Sequence, residues 1–248
     1  MKYIMVIKDN YEIRDESEKE IEEKLNDGTL HISQIIDPSV RIQEVAVNKQ
    51  PSNIRFIQNP DKSLLMKSIK AYPYAVQWLD NLEERFLLAA LRANPMAIEF
   101  IKEKNINYKI RRAALKANPL CAQFLTDFTE EEIHIIYENE PEALRFAVNS
   151  SSEWLLKAVS KKPSTIIIFE KSGIIGRPDK DHAVYTRYWD TALKRDPYLA
   201  YYLTEEEQLY MIDAIKAGLL STNYIQSLTQ LTPKVRDIIM QEIKPVTE

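Results

Sequence analysis

Apolar positions recur along most of this chain in short stripes, spaced three and four residues apart and each broken at a proline. In Phe86-Leu-Leu-Ala-Ala-Leu-Arg-Ala-Asn-Pro95-Met-Ala-Ile-Glu-Phe-Ile101, Leu87, Ala90 and Leu91 precede the proline, and Ile98, Phe100 and Ile101 follow it. The stretch Ile110-Arg-Arg-Ala-Ala-Leu-Lys-Ala-Asn-Pro119-Leu-Cys-Ala-Gln-Phe-Leu125 repeats the pattern with Ala114 and Leu115 before its proline. Such spacing marks one face of a helix. A residue before proline is pushed out of the helical region, so the first helix must stop at Asn94 or Asn118. Proline suits the first position of a new helix, where its missing N–H costs nothing. Asn94, Asn118 and Asp196 have the side chains that cap such a start. Each unit therefore predicts a short helix, a tight corner and a second short helix.

The corner prolines keep time. Pro51, Pro73, Pro95, Pro119, Pro141, Pro163 and Pro197 follow one another at steps of 22, 22, 24, 22, 22 and 34 residues. Five residues before each comes Ala46, Ser68, Ala90, Ala114, Ile136, Ala158 or Ala192, which are small or apolar. Five residues after each comes Phe56, Trp78, Phe100, Phe124, Phe146, Ile168 or Tyr202, predicted to fill the core. One helix pair cannot bury its apolar stripe alone, and stacking pairs makes a continuous core. The expected fold is mainly α: a right-handed α-solenoid of about seven short helix-turn-helix repeats.

Residues 1–40 break the pattern. Tyr3 to Ile7 read as a strand, Asp9-Asn10 as a turn, and Tyr11 to Arg14 as a returning strand. Ser17 and Glu20 have capping-box spacing ahead of Ile21 and Leu25, with Gly28 as the stop. The expected organisation is a β-hairpin and helix cap over 1–40, regular repeats over 41–171, an inserted loop over 172–190, and an atypical repeat with capping helices over 191–248. A last amphipathic helix is predicted from Thr232-Pro233 through Ile243. A lone hairpin is marginal, so this one packs on the helices or pairs with another chain. The chain is expected as a monomer or a homodimer through the N-terminal strand.

Composition narrows function by exclusion. Four glycines among 248 residues leave no glycine-rich phosphate loop, and a single cysteine, Cys121, allows no internal disulfide. Cys121 sits beside core positions and reads as a small buried hydrophobe. No apolar run is long enough to span a membrane, and the first residues do not form a secretory signal. A cytoplasmic location is expected. The three histidines, His31, His134 and His182, are scattered without metal-ligand spacing, and neither a nucleophile elbow nor a P-loop occurs. No catalytic residue, cofactor or metal is predicted.

Two segments carry the binding candidates. The 34-residue step adds a stretch from Ser172 to Trp189, whose Arg177, His182, Arg187, Tyr188 and Trp189 would suit an anionic or aromatic partner. In the plainer alternative it is a surface loop whose Tyr188 and Trp189 begin the next helix. Charge is also segregated. Residues 85–119 hold eight basic and two acidic groups, Arg111 and Arg112 among them, whereas 127–142 hold seven acids and no base. The basic stretch would meet phosphate or an acidic protein face, or it is the solvated side of ordinary helices. The net charge of −4 argues against a general nucleic-acid binder.

The units Ala89-Ala-Leu-Arg-Ala-Asn-Pro-Met-Ala-Ile-Glu-Phe-Ile101 and Ala113-Ala-Leu-Lys-Ala-Asn-Pro-Leu-Cys-Ala-Gln-Phe-Leu125 resemble short helical-hairpin repeats of unknown function found in phage and bacterial proteins. The likeness covers about residues 41–170, departing at Pro163, where Ile168 replaces the aromatic. It implies an α-solenoid and brings no activity or site residues. The expected function is a non-catalytic protein–protein interaction scaffold, and a phage-encoded inhibitor or adaptor acting on a host protein fits the resemblance. The alternatives are a nucleic-acid or phosphate binder through 85–119 and an enzyme with its site in the 172–190 loop.

Overall fold

The computed structural model describes residues 1–7, 10–147, 150–175 and 182–216, with 232–233 and 237–238 near the end. The described residues are mainly helical, with a small two-stranded sheet, and no described helix is long and apolar enough to cross a membrane. It divides into two compact units, Met1–Phe124 and Leu125–Glu248.

The first unit opens with the expected hairpin. Strands β1 (Lys2–Ile7) and β2 (Asn10–Asp15) pair antiparallel, with Ile4 opposite Ile13 and Tyr3 opposite Arg14. Helix α1 (Glu18–Asp27) starts at a complete Ser17–Glu20 capping box and stops at Gly28, whose φ of 88° is left-handed. Tyr3 is fully buried in one core with Ile21, Leu25, Ile42, Ala46 and Ile54, so the hairpin is anchored on the helices. The Tyr3 hydroxyl donates to Glu16 at 2.7 Å, and the Lys24 ammonium reaches Glu16 at 2.6 Å.

Then the repeat begins. Helices α2 (Val40–Lys49), α3 (Lys62–Ala71), α4 (Glu84–Ala93) and α5 (Tyr108–Ala117) have ten residues each. Each is followed after one residue by a six-residue segment: Pro51–Phe56, Pro73–Trp78, Pro95–Phe100 and Pro119–Phe124. These second elements are 3-10 helices, tighter than the sequence pattern suggested. Consecutive α-helices pack on one another, as do consecutive 3-10 segments, giving the unit two layers.

One residue makes every corner. Asn94 is extended (φ −153°), as the following proline demands. Its N–H donates back to the Ala90 carbonyl at 2.8 Å, ending the α-helix, and its carbonyl accepts from Ala97 N–H at 3.0 Å, starting the next. Gln50, Tyr72, Asn118, Glu140 and Lys162 make the same two bonds. The position five before each proline lies under this corner, and Ala46, Ser68, Ala90, Ala114, Ile136, Ala158 and Ala192 are all essentially inaccessible. Where that residue is polar, it is satisfied: Ser68 Oγ donates to the Pro51 carbonyl at 2.8 Å.

The residue five after each proline lies at the margin of the core, with Phe56 and Trp78 packed against it, and not at its centre. Phe56, Trp78, Phe100, Phe124, Phe146 and Ile168 are only half-buried, and Tyr202 is 64% exposed. The buried pair lies two and three residues after the proline: Asn53 and Ile54, Ala75 and Val76, Ala97 and Ile98, Cys121 and Ala122, Ala143 and Leu144. In a 3-10 helix side chains three apart eclipse. Ile54 therefore aligns with Ile57, and Ile98 with Ile101, all buried, while the fifth-position ring is turned to the edge.

The return to the next α-helix uses a left-handed residue. Asn59, Asn81 and Asp127, each eight after a corner proline, have φ of 50°, 51° and 53°, which Asn and Asp tolerate best among residues with a side chain. An N-cap follows two residues later at Asp61, Glu83 and Thr129. In the 24-residue step the two extra residues accompany a 3-10 turn, Glu103–Asn105, and Asn107 caps α5.

The second unit continues with α6 (Glu130–Asn139), the 3-10 segment Pro141–Phe146 and α7 (Ser152–Lys161). After Pro163 the rhythm changes, and α8 (Thr165–Lys171) is α-helical. Helix α9 (His182–Leu193), a 3-10 segment Pro197–Tyr202 and α10 (Glu205–Lys216) follow. The acidic run is absorbed locally. Glu132 closes a capping box with Thr129 and is 1% exposed, Glu138 pairs with Lys161 at 3.1 Å, and Glu142 with Lys162 at 2.8 Å. The predicted helix after Thr232 lies almost wholly outside the described residues.

Candidate functional site

In the first unit, half-buried and exposed rings join into a continuous surface path. Exposed His31 meets Phe56 edge-on, with centroids 4.9 Å apart. The exposed Arg55 guanidinium lies 4.4 Å from the Phe56 centroid and 5.2 Å from that of Trp78. Tyr72 stacks on Trp78 at 5.7 Å and 11°, Tyr72 meets Tyr74 edge-on, and Tyr74 meets Phe100 edge-on at 5.2 Å. The Asn94 amide donates to the Tyr74 hydroxyl at 2.7 Å, tying a corner residue of one repeat to the ring surface of the preceding one.

The path follows from the repeat. Residues one, four and five after each proline sit at the rim of a 3-10 segment, and stacked segments bring Arg55 to Trp78 and Tyr74 to Phe100. The resulting surface is rich in rings, most of them meeting edge-on, with one cation between two of them. Rings of this kind bury much area at small entropic cost.

A second surface lies between α4 and α5. Leu88, Leu91, Ala113 and Ala117 floor a groove bordered by Arg92, Lys109, Arg112 and Lys116. Lys109 pairs with Glu84, and Arg112 Nη1 donates to the Tyr108 hydroxyl at 2.9 Å. Elsewhere in the basic stretch, Arg85 is held by Glu83 and Lys102 by Asp80. Much of the basic character read over 85–119 is thus balanced by acids just before it. Arg111, like Arg112, is half-buried.

A third cluster belongs to the second unit, where His134, Tyr137 and Trp154 group within 6.4 Å of one another. Lys157 lies over Trp154 and Lys161 over Tyr137. Trp154 Nε1 donates to Glu130 at 2.8 Å, and Lys161 caps α6 through the Tyr137 and Glu138 carbonyls. These contacts tie α6 to α7.

Of the candidates from the late insertion, His182, Arg187, Tyr188 and Trp189 all lie on α9, so the stretch from His182 onward is helix and not loop. Trp189 is fully buried and Tyr188 is 3% exposed, its hydroxyl donating to the Ser152 carbonyl at 3.2 Å. Both rings hold α9 in place and present no face to a partner, which corrects their nomination. Arg187 is exposed on the same helix. His182 opens α9, and Arg177 lies outside the described residues. Among the described residues no cluster of His, Cys, Asp and Glu could hold a metal. Cys121 is fully buried, and burial pushes its thiol up to about 11, the behaviour of an inert core residue. Comparison with protein-family models, curated proteins and solved structures finds no match.

Proposed function

We propose that this chain is a non-catalytic α-solenoid protein that binds another protein through the ring-lined face of its 3-10 segments. The observation that carries this reading is the half-burial of Phe56, Trp78 and Phe100 in one connected path with Arg55. Aromatic and arginine side chains dominate the energetics of protein interfaces. A repeat that needed these rings only for stability would turn them inward, as it does Ile54 and Ile98. Affinity capture from the native source tests the reading. A protein retained by the wild type and lost with Arg55→Ala/Trp78→Ala supports it, provided the variant is still fully folded at the temperature of capture. A protein retained equally by both sinks it.

A second reading, a phosphate or nucleic-acid ligand on the basic stretch, is favoured by the cation-bordered groove between α4 and α5. Affinity for single-stranded DNA that falls steeply with salt and is lost on reversing Arg111 and Arg112 supports it. Binding indifferent to both changes excludes that surface.

A further inference from the structure

The two edges of the N-terminal sheet are not equivalent. The outer edge of β1 is occupied: Tyr3 bridges to Ile35, Ile36 N–H donates to the Lys2 carbonyl at 3.0 Å, and the Gln34 amide reaches the Ile4 carbonyl at 3.3 Å. Among the described residues, β2 pairs with no element but β1. Its central residue, Ile13, is 64% exposed, among the most exposed large apolar side chains described. An open edge with an apolar centre is a template for another strand.

We infer that β2 is a self-pairing edge, and that its occupant is β2 of a second copy, joined antiparallel about a two-fold axis at Ile13. The sequence of the strand selects this partner and register. With Ile13 opposite Ile13 of the second copy, Glu12 falls opposite Arg14 and Arg14 opposite Glu12, so the two-fold produces two opposite-charge cross-strand pairs. Centring on residue 12 or 14 instead sets like charges against each other. A one-residue slip sets Ile13 against Glu12. Within one chain Glu12 and Arg14 already pair at 3.1 Å, so the charges are poised at the edge. Ile4 lies directly opposite Ile13 in the hairpin. The four-stranded sheet therefore carries a continuous stripe of Ile4, Ile13, Ile13 and Ile4 on the face opposite Tyr3. Hairpin pairing across a two-fold removes the open edge and is isologous, so the assembly closes at two copies.

Sedimentation equilibrium of the full chain tests the inference. The wild type sediments as a dimer at about 100 μM. Glu12→Arg sets like charges together at both pairs and weakens dimerisation about tenfold or more, while Glu12→Arg/Arg14→Glu restores it to within about threefold. An Ile13→Cys chain forms an inter-chain disulfide on oxidation, because directly opposed strand residues lie within disulfide reach and the native Cys121 is buried. A wild type that stays monomeric, or an Ile13→Cys chain that does not cross-link, overturns the proposal. So does a dimer indifferent to Glu12→Arg. If the double exchange fails to restore dimerisation and retains wild-type melting, the register is wrong. If it fails to fold, the cross-link decides.

Discussion

Arg55 places its guanidinium 5.2 Å from the centre of the Trp78 ring, which belongs to the next repeat. It also lies 4.4 Å from its own neighbour, Phe56. One cation between two rings of successive repeats is therefore both a stacking contact and part of a surface. Exposed cation–π pairs contribute about 0.5–1 kcal/mol. Arg55→Ala should lower the free energy of unfolding by about that much, and the double-mutant cycle with Trp78→Ala should show coupling of the same size. Urea unfolding of the four chains measures it. Strict additivity would show the contact to be energetically idle.

The corner residue gives a second prediction. Asn94 accepts from Met96 N–H at 3.0 Å through its side-chain oxygen and donates its amide to Tyr74 at 2.7 Å. Asn94→Ala removes both and should cost about 1–2 kcal/mol. Asn94→Asp keeps the cap and loses the donor, so it should fall between the two. The ordering wild type, Asp, Ala in urea midpoint is the readout.

Ser68 makes a narrower case. It is fully buried and donates to the Pro51 carbonyl at 2.8 Å, whereas most other repeats place alanine there. Ser68→Ala should cost about 1 kcal/mol, because the shape is kept and one hydrogen bond is lost. Ser68→Val should cost more, since the added carbons meet a corner built for a small residue. Thermal unfolding of both variants separates lost bonding from overpacking.

The hairpin clasp predicts a dependence on pH. The Lys24 ammonium, followed by the Tyr3 hydroxyl, holds the Glu16 carboxyl below its ordinary value. Below the ordinary glutamate range the unfolded chain binds the proton that the folded chain resists. The clasp therefore stabilises the fold fully above about pH 4.3, and its contribution is lost as pH falls through the lowered folded value. Glu16→Gln should be less stable at neutral pH and should converge on the wild type on acidification. Parallel urea midpoints from neutral pH down to pH 3 would mean that Glu16 holds nothing.

Much of this structure was written in the proline spacing. Pro95 ends one helix and starts the next, Asn94 caps it, and Ala90 packs beneath. Each of these follows from backbone rules that involve only near neighbours. The same holds for Ser17, Glu20 and Gly28 around α1. The fifth-position rings were misassigned because an α-helical period was carried past the proline, where the chain turns with a period of three. The left-handed Asn59, Asn81 and Asp127 are legible as an Asn or Asp eight after a proline, but they lie outside the apolar stripe that defines the helices. The ring path itself was hidden. It joins Tyr72, Tyr74 and Trp78 of one repeat to Arg55 and Phe100 of its neighbours, and only packing brings them together. Tyr188 and Trp189 fall at the end of the inserted stretch, where an aromatic pair reads as a recognition surface, but they sit on α9 and helical phase turns both inward.

The core runs through the third residue after each proline, and the fifth sits half-buried at its margin. Comparing Ile98→Ala with Phe100→Ala by urea unfolding tests it most directly. Ile98 is 1% exposed and Phe100 is half-buried. Ile98→Ala should cost about 2–5 kcal/mol, and Phe100→Ala clearly less than the 3–5 kcal/mol of a core phenylalanine, about 1–2 kcal/mol. A Phe100→Ala loss equal to or larger than that of Ile98→Ala would contradict the claim and return the ring to the core.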